Sequence, residues 1–236
     1  MSVYEAVHAH PDGDSTAARF AATAADYQFD GVVVRNHSGA TADYDPERIA
    51  DAYGVDVVEA IEIRAADPTA ASGHVGNYRP DHTVLAVHGG SNALNRFAVE
   101  SDRVDVLAHP MAGDGDFNHV LAKAAVEHDV RVEFNFASVL RDDGGPRVQA
   151  LQDLRKLREL IEKYEVPYVV SADPHSHLQL RAPRELAAVG EAIGFDADQI
   201  RTGLEEWSVI AERNRERRSD EFIAQGVKRG RYEEDN

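Results

Sequence analysis

Histidines and carboxylates recur at the ends of short apolar runs along the chain. Imidazole and carboxylate groups are ligands that suit Zn, Mn and Fe alike, and such ions activate water for phosphoester cleavage. The chain has no cysteine, so any metal must be held by His, Asp or Glu. The candidate metal ligands are His8, His10, His37, Glu62, His88, His109, Asp173 and His175.

The spacing within this set also favours metal binding. Alternate residues of a strand point the same way, so the imidazoles of His8 and His10 could reach one ion. Asp173 and His175 repeat the arrangement with one carboxylate. A further oxygen ligand would come from Asp12 or Asp14, and the residues alone leave that choice open. Any single histidine could be an ordinary core or surface residue, but joint placement after successive strands favours a shared site.

The elements that must position these residues alternate along the chain. Short β-branched runs predict strands at 3–7, 31–35, 55–63, 83–87, 104–108, 130–134 and 168–171. Amphipathic segments predict helices at 15–28, 46–53, 92–100, 117–128, 146–164, 183–193 and 197–213. Repeated β–α units require a parallel sheet, and this many units favour closure into a TIM-like barrel. The carboxyl ends of barrel strands meet on one face, so the candidate ligands should share one rim.

Composition sets the remaining bounds. Net charge is −17, with 42 acidic and 25 basic residues, and only Lys123, Lys156, Lys163 and Lys228 are lysines. This excess of carboxylates is typical of proteins from a high-salt cytoplasm. The sequence shows neither a long apolar span nor a signal peptide, so we expect a cytoplasmic location and no membrane partner. We expect a barrel domain over 1–211 and a charged, flexible tail over 212–236.

The candidate ligands lie in the segments VHAH, RNHS, AIEI, AVHGG, LAHP and SADPHS. These segments resemble the metal motifs of the polymerase-and-histidinol-phosphatase superfamily of phosphoesterases. The segment PDGDS stands where that superfamily has Ser-Asp-Gly, so the identity of the early aspartate ligand stays open. The resemblance implies a divalent metal, Zn, Mn or Fe, at the rim.

A second and more continuous resemblance covers about residues 94–195. Its main segments are 116–140, LRKLRELIEKYEVPYVVSAD and RAPRELAAVGEAIGF. In order and spacing they look like the archaeal and eukaryotic ribonuclease P protein component 3 family, and the acidic composition then points to a halophilic archaeon. The resemblance implies a subunit of the ribonucleoprotein endonuclease that removes the 5′ leader of precursor tRNA. In that family the RNA, with Mg, supplies the catalytic centre.

The same resemblance implies partners and contacts. The partners are ribonuclease P RNA, precursor tRNA, protein component 2 and the other ribonuclease P proteins. The implied RNA-binding residues are Arg96, His119, Lys123, Lys163, Arg181 and Arg184. Two alternatives stay open from the residues: a free-standing metal-dependent phosphoesterase, and a scaffold that binds no RNA. Whether the isolated chain is catalytic is also left open.

Overall fold

Seven parallel strands form a nearly closed barrel. The computed structural model describes residues 2–219 and the backbone of two short strands beyond them, Phe222–Ala224 (β8) and Val227–Lys228 (β9). The barrel strands pair in chain order, each with the next. They are β1 Tyr4–Val7, β2 Gly31–Val34, β3 Asp56–Ile63, β4 Val84–His88, β5 Val106–Ala108, β6 Arg131–Asn135 and β7 Tyr168–Ser171. The predicted parallel barrel is confirmed.

Helices connect the strands and cover the barrel. They are α1 Ala17–Asp26, α2 Pro46–Tyr53, α3 Pro68–Tyr78, α4 Asn92–Val99, α5 His119–Glu127, α6 Ala137–Arg141, α7 Gly144–Tyr164, α8 Pro183–Ile193 and α9 Ala197–Arg218, with a 3-10 turn at His177–Gln179. The sequence pattern did not predict α3 or α6. Within residues 2–219 and the two short strands, no helix is long and apolar enough to cross a membrane.

The seam between β1 and β7 is closed by a side chain. No strand ladder joins these two strands within the described residues. The fully buried carboxyl of Glu5 instead accepts hydrogen bonds from Ser171 Oγ at 2.7 Å and from the Ala172 amide at 3.1 Å. Glu5 therefore supplies acceptors that a neighbouring strand would otherwise provide.

The barrel interior is filled by layers of inward-facing side chains. Ala60, Ala86 and Ala108 lie in one buried cluster with Trp207 of α9. Small side chains on the strands leave room for the large indole, which has no exposed surface. The Trp207 Nε1–H donates to the Val170 carbonyl at 2.9 Å. Helix α9 thus plugs the end of the barrel opposite the rim.

The end of α9 corrects the predicted domain boundary. The helix continues to Arg218, so residues 212–218 are helical and do not begin a tail. Ion pairs explain this: Arg213 contacts Asp105 at 2.7 Å and Arg215 contacts Asp56 at 2.7 Å. Both aspartates lie at the amino-terminal ends of strands. The predicted flexibility of the remaining tail falls almost wholly outside the described residues.

Candidate metal centre at the barrel rim

Seven of the eight predicted ligands meet at the carboxyl ends of the strands. His8 follows β1, Glu62 lies in β3, and His88 ends β4. The imidazole rings pack against one another, with centroids 4.3 Å apart for His8 and His175 and 4.4 Å apart for His88 and His109. The residues that come together are His8, His37, Glu62, His88, His109, Asp173 and His175.

His10 does not join them, contrary to the sequence interpretation. Its side chain is exposed and lines a separate cavity of about 480 Å³ with Tyr44 and Arg48. The reason is local: β1 ends at Val7 and the chain enters a turn, so strand alternation does not extend to His10.

Asp12 supplies the early carboxylate that the sequence left undecided, while Asp14 is exposed. Asp12 Oδ2 lies 2.8 Å from Nδ1 of both His8 and His37. Although burial opposes ionisation, the hydrogen bonds from His37 and His8 hold the pKa of Asp12 well below its usual range. An ionised carboxylate only accepts hydrogen bonds, so each Nδ1 carries a proton and Nε2 faces the interior.

The Nε2 atoms of His8 and His37 are buried and have no hydrogen-bond partner. They face the carboxylates of Asp173 and Glu62: His8 Nε2 lies 2.9 Å from Asp173 Oδ1, and His37 Nε2 lies 3.5 Å from Glu62 Oε1. Burial would lower the pKa of His37, but its hydrogen bond with Asp12 and the nearby negative charge of Glu62 raise it to about 9. Unpartnered imidazole nitrogens beside carboxylate oxygens fit a divalent cation well.

Three overlapping groups of residues could each hold a metal ion, because the ligand atoms within each group lie within 4.8 Å of one another. One group is His8, Asp173 and His175, a second is His8, Asp12 and His37, and a third is His37, Glu62 and His88. Histidine with carboxylate suits Zn, Mn and Fe alike, so the donor set does not select one metal. The ligand set includes more residues than one ion requires.

Two residues of the site were missed by sequence reasoning. Arg35 and Glu133 are fully buried beneath the rim, and Arg35 Nη2 lies 2.6 Å from Glu133 Oε1. Arg35 also contacts Asp173 at 2.9 Å and Glu62 at 3.2 Å. The sequence did carry a signal for Arg35, which directly follows three valines. Because alternate residues of a strand point the same way, the side chain of Arg35 lies on the same inward side as that of Val33.

The backbone is unusual where two ligands leave their strands. His109 has φ of 49° and Asp173 has φ of 51°, both in the left-handed region that favours glycine. Strained backbone of this kind clusters at functional sites. His109 directly follows β5, and its Nε2 atom lies 3.6 Å from Asp173 Oδ2.

Two cavities reach the rim from outside. One of about 520 Å³ is lined by Asp12, His37, Arg64 and His74 among others. The second, of about 250 Å³, begins at His109 and follows α7. Solvent and small ions therefore have access to both sides of the cluster.

The predicted RNA-binding residues lie on the outer helices. Lys123 of α5 and Lys163 of α7 flank one aromatic ring, with Nζ atoms 6.0 and 5.5 Å from the centre of Tyr164. His119 lies one turn before Lys123 and is exposed. We call His119, Lys123, Lys163 and Tyr164 the basic helix face.

The other three predicted contacts lie elsewhere. Arg96 of α4 pairs with Glu100 at 2.8 Å, and Arg184 is exposed in the first turn of α8. Arg181 donates to the carbonyl of Leu180 at 2.8 Å. Helices α4, α5, α7 and α8 are successive neighbours around the barrel. The structure thus places these residues on one sector of the barrel without joining them into one patch.

Solved structures define the class of fold. A histidinol phosphate phosphatase from Lactococcus lactis, solved with Zn, L-histidinol and phosphate, matches with a TM-score of 0.57 at 11% identity, over 82% of this chain and 94% of that one. A chain of an archaeal ribonuclease P solved with mature tRNA matches with a TM-score of 0.80 at 23% identity, over 98% and 100%. Likeness at these identities shows the fold alone, the barrel that this chain shares with both structures.

Sequence relatives define the family. The profile of the RNase P subunit p30 family matches residues 3–219. Ribonuclease P protein component 3 of Haloarcula marismortui is 64% identical over 96% of both chains. That of Natronomonas pharaonis is 62% identical over 96% of this chain and 94% of the relative, and that of Methanococcoides burtonii is 36% identical over 94% and 90%. The chain belongs to the RNase P subunit p30 family, as the resemblance predicted.

Proposed function

We propose that this chain is the component 3 protein subunit of ribonuclease P. As part of that endoribonuclease it contributes to removing the 5′ leader of precursor tRNA, while the RNA and its Mg perform the cleavage. The observation that carries the proposal is the family match over residues 3–219, together with full-length relatives at 57–64% identity. Its partners are ribonuclease P RNA, precursor tRNA, component 2 and the other protein components, in the cytoplasm.

Reconstitution tests this function directly. Ribonuclease P RNA and the other protein components are assembled in molar KCl with and without this chain, and cleavage of precursor tRNA is measured. We expect the chain to increase cleavage and to co-purify with component 2 and the RNA. Unchanged cleavage together with no association would contradict the proposal.

We propose further that the basic helix face contacts RNA. The chain has four lysines and a net charge of −17, yet two of those lysines flank Tyr164. By contrast, Lys156 on the same helix pairs with Asp116 at 2.5 Å. Cations grouped around an aromatic ring suit both phosphate and an unstacked base. Arg96, Arg181 and Arg184 stay as proposed contacts on the same sector.

The rim is proposed to bind a divalent cation. The support is the buried, unpartnered Nε2 atom of His37, which lies 3.5 Å from Glu62 Oε1. Such a cation supplies positive charge that can polarise a phosphate oxygen and lower the pKa of bound water. Here the residues of the chain hold and orient the cation, and Asp12 fixes the imidazole tautomers of His8 and His37.

Elemental analysis tests this site. We expect metal in the purified wild-type protein and in the His10→Ala control, and its loss from the His37→Ala/His88→Ala double variant. Equal metal content in all three proteins would contradict the site. Circular dichroism spectra establish that each variant is folded.

A second candidate function, a free-standing phosphoesterase, is favoured by one observation: the rim retains seven of its eight predicted ligands. Hydrolysis of a simple phosphate monoester by the purified chain, lost in the His37→Ala/His88→Ala variant, would support it. Absence of hydrolysis from a metal-loaded, folded chain would exclude that activity toward this substrate.

A further inference from the structure

We propose that the guanidinium of Arg35 is a resident cation of the rim, and that it replaces an inner metal ion. The protein then binds one divalent ion, on the outer side of the Glu62 and Asp173 carboxylates. This inference rests on the metal binding proposed above, which it refines by assigning the two sides of the cluster to different cations.

The inner side of the cluster is defined by one carboxylate oxygen of Glu62 and one of Asp173. Glu62 Oε2 lies 3.2 Å from Arg35 Nη1, and Asp173 Oδ1 lies 2.9 Å from Arg35 Nη2. The same two oxygens are those nearest to His8, whose Nε2 lies 3.8 Å from Glu62 Oε2 and 2.9 Å from Asp173 Oδ1. A metal ion bound there by His8, Glu62 and Asp173 would compete with Arg35 for both oxygens.

The outer side is defined by the remaining oxygens, which Arg35 does not contact within the described interior. Glu62 Oε1 lies 2.5 Å from His88 Nδ1, 3.5 Å from His37 Nε2 and 3.8 Å from His109 Nε2. Asp173 Oδ2 lies 3.6 Å from His109 Nε2. Three imidazoles and two carboxylate oxygens therefore converge away from the guanidinium, and this is the side left for an ion.

The guanidinium of Arg35 cannot readily move away from the inner side of the cluster to make room for a metal ion. An arginine stays charged at any physiological pH, so its repulsion of a nearby divalent ion persists, and the low dielectric of a buried site strengthens it. The side chain has no exposed surface. It is also fixed from below, because Glu133 lies 2.6 Å from Nη2 and the Trp207 ring centre lies 5.7 Å from Cζ.

The same contacts explain how the ligand set can persist without a full complement of metal. Glu62, Glu133 and Asp173 are all buried, and unpaired carboxylates in such surroundings are costly. Arg35 contacts all three and places its positive charge beside each of them.

Metal stoichiometry tests the assignment. The full chain is titrated with Zn²⁺ and with Mn²⁺ in molar KCl, and bound metal per chain is measured by equilibrium dialysis and elemental analysis. We expect one ion per wild-type chain, one in His8→Ala and none in His88→Ala. We expect two in Arg35→Met, and one in the control Arg64→Met, which removes an exposed rim cation instead.

The outcomes separate this inference from the proposed function. Two or more tightly bound ions in the wild type, loss of the ion from His8→Ala, or an unchanged count in folded Arg35→Met would each overturn the role of Arg35. No ion in any of the proteins would overturn the metal site itself. Should Arg35→Met fail to fold, the wild-type count and the His8 and His88 variants still decide the question.

Discussion

Ser171 donates a 2.7 Å hydrogen bond to the carboxyl of Glu5 across the seam where β1 meets β7. The two residues are far apart in sequence but lie on the first and last strands of the barrel. The contact is fully buried. An ionisable side chain therefore contributes to closure of this barrel, and its protonation state should affect stability.

Stability should fall with rising pH because of Glu5. Burial raises its pKa to about 8, although the hydrogen bonds from Ser171 and Ala172 lower it. An exposed glutamate has a pKa of 4.5, so between these two pKa values the folded protein binds a proton that the unfolded chain has released. Stability from this group is present at low pH and is lost toward pH 8, at up to about 1.4 kcal/mol per pH unit.

The comparison that isolates this effect is with Glu5→Gln. Denaturant unfolding of both proteins from pH 5 to pH 8.5 in constant KCl should show the wild type losing stability relative to Glu5→Gln as pH rises. Glu59→Gln, which removes a carboxylate from an exposed position, is the control and should follow the wild type. Parallel curves for wild type and Glu5→Gln would refute the role of Glu5.

Asp12→Asn should weaken metal binding by about 10- to 100-fold, the usual effect of losing a carboxylate that orients ligating histidines. The amide can donate to Nδ1, so it no longer requires Nε2 of His8 and His37 to face the interior without a proton. Competition with a fluorescent Zn²⁺ chelator measures the affinity. Asp14→Asn, at an exposed position nearby, should bind as the wild type does. Equal weakening in both variants would argue against a specific role for Asp12.

Trp207→Ala should destabilise the barrel by about 3–5 kcal/mol, because it leaves a cavity and an unpaired Val170 carbonyl. Trp207→Phe should lose less, since most of the volume remains. Denaturant unfolding followed by circular dichroism measures both. Trp207 is also the sole tryptophan of the chain, so wild-type fluorescence reports on this plug alone. A loss below about 1 kcal/mol for Trp207→Ala would mean that α9 contributes little to the core.

Removing the two lysines of the basic helix face should lower the affinity for RNA. It should also make that affinity less dependent on salt concentration. Each lost phosphate contact lowers the slope of log affinity against log salt by about one. We therefore expect a shallower slope for Lys123→Ala/Lys163→Ala, measured by filter binding over a KCl series in which the protein stays folded. Lys156→Ala is the control, because Lys156 already pairs with Asp116. An unchanged slope in the double variant would place the RNA contact elsewhere.

Strands were predictable because their signal is local. All seven barrel strands lie within or close to the predicted runs, since buried parallel strands read as continuous β-branched segments. Helix α3 was missed because Gly73 and Gly76 weaken its pattern; its start is fixed by Asp67, which caps the amide of Ala70.

The site was only partly predictable, because its outcome depends on contacts between distant segments. The predicted strand ends located the rim correctly. They could not show that the turn after Val7 places the side chain of His10 outside the ligand cluster. Nor could they show that Asp12 returns to reach His8 and His37. The missed pairing of Arg35 with Glu133 joins β2 to β6, and no spacing rule connects residues so far apart.

The position of Trp207 has a consequence for biosynthesis. The residue that fills the barrel interior belongs to α9, and it is residue 207 of 236. All seven barrel strands leave the ribosome before their shared core can be completed. Until α9 emerges, the nascent chain must keep an open, apolar barrel end out of contact with other apolar surfaces. Translation that stops short of α9 should therefore yield a chaperone client and not a smaller working subunit.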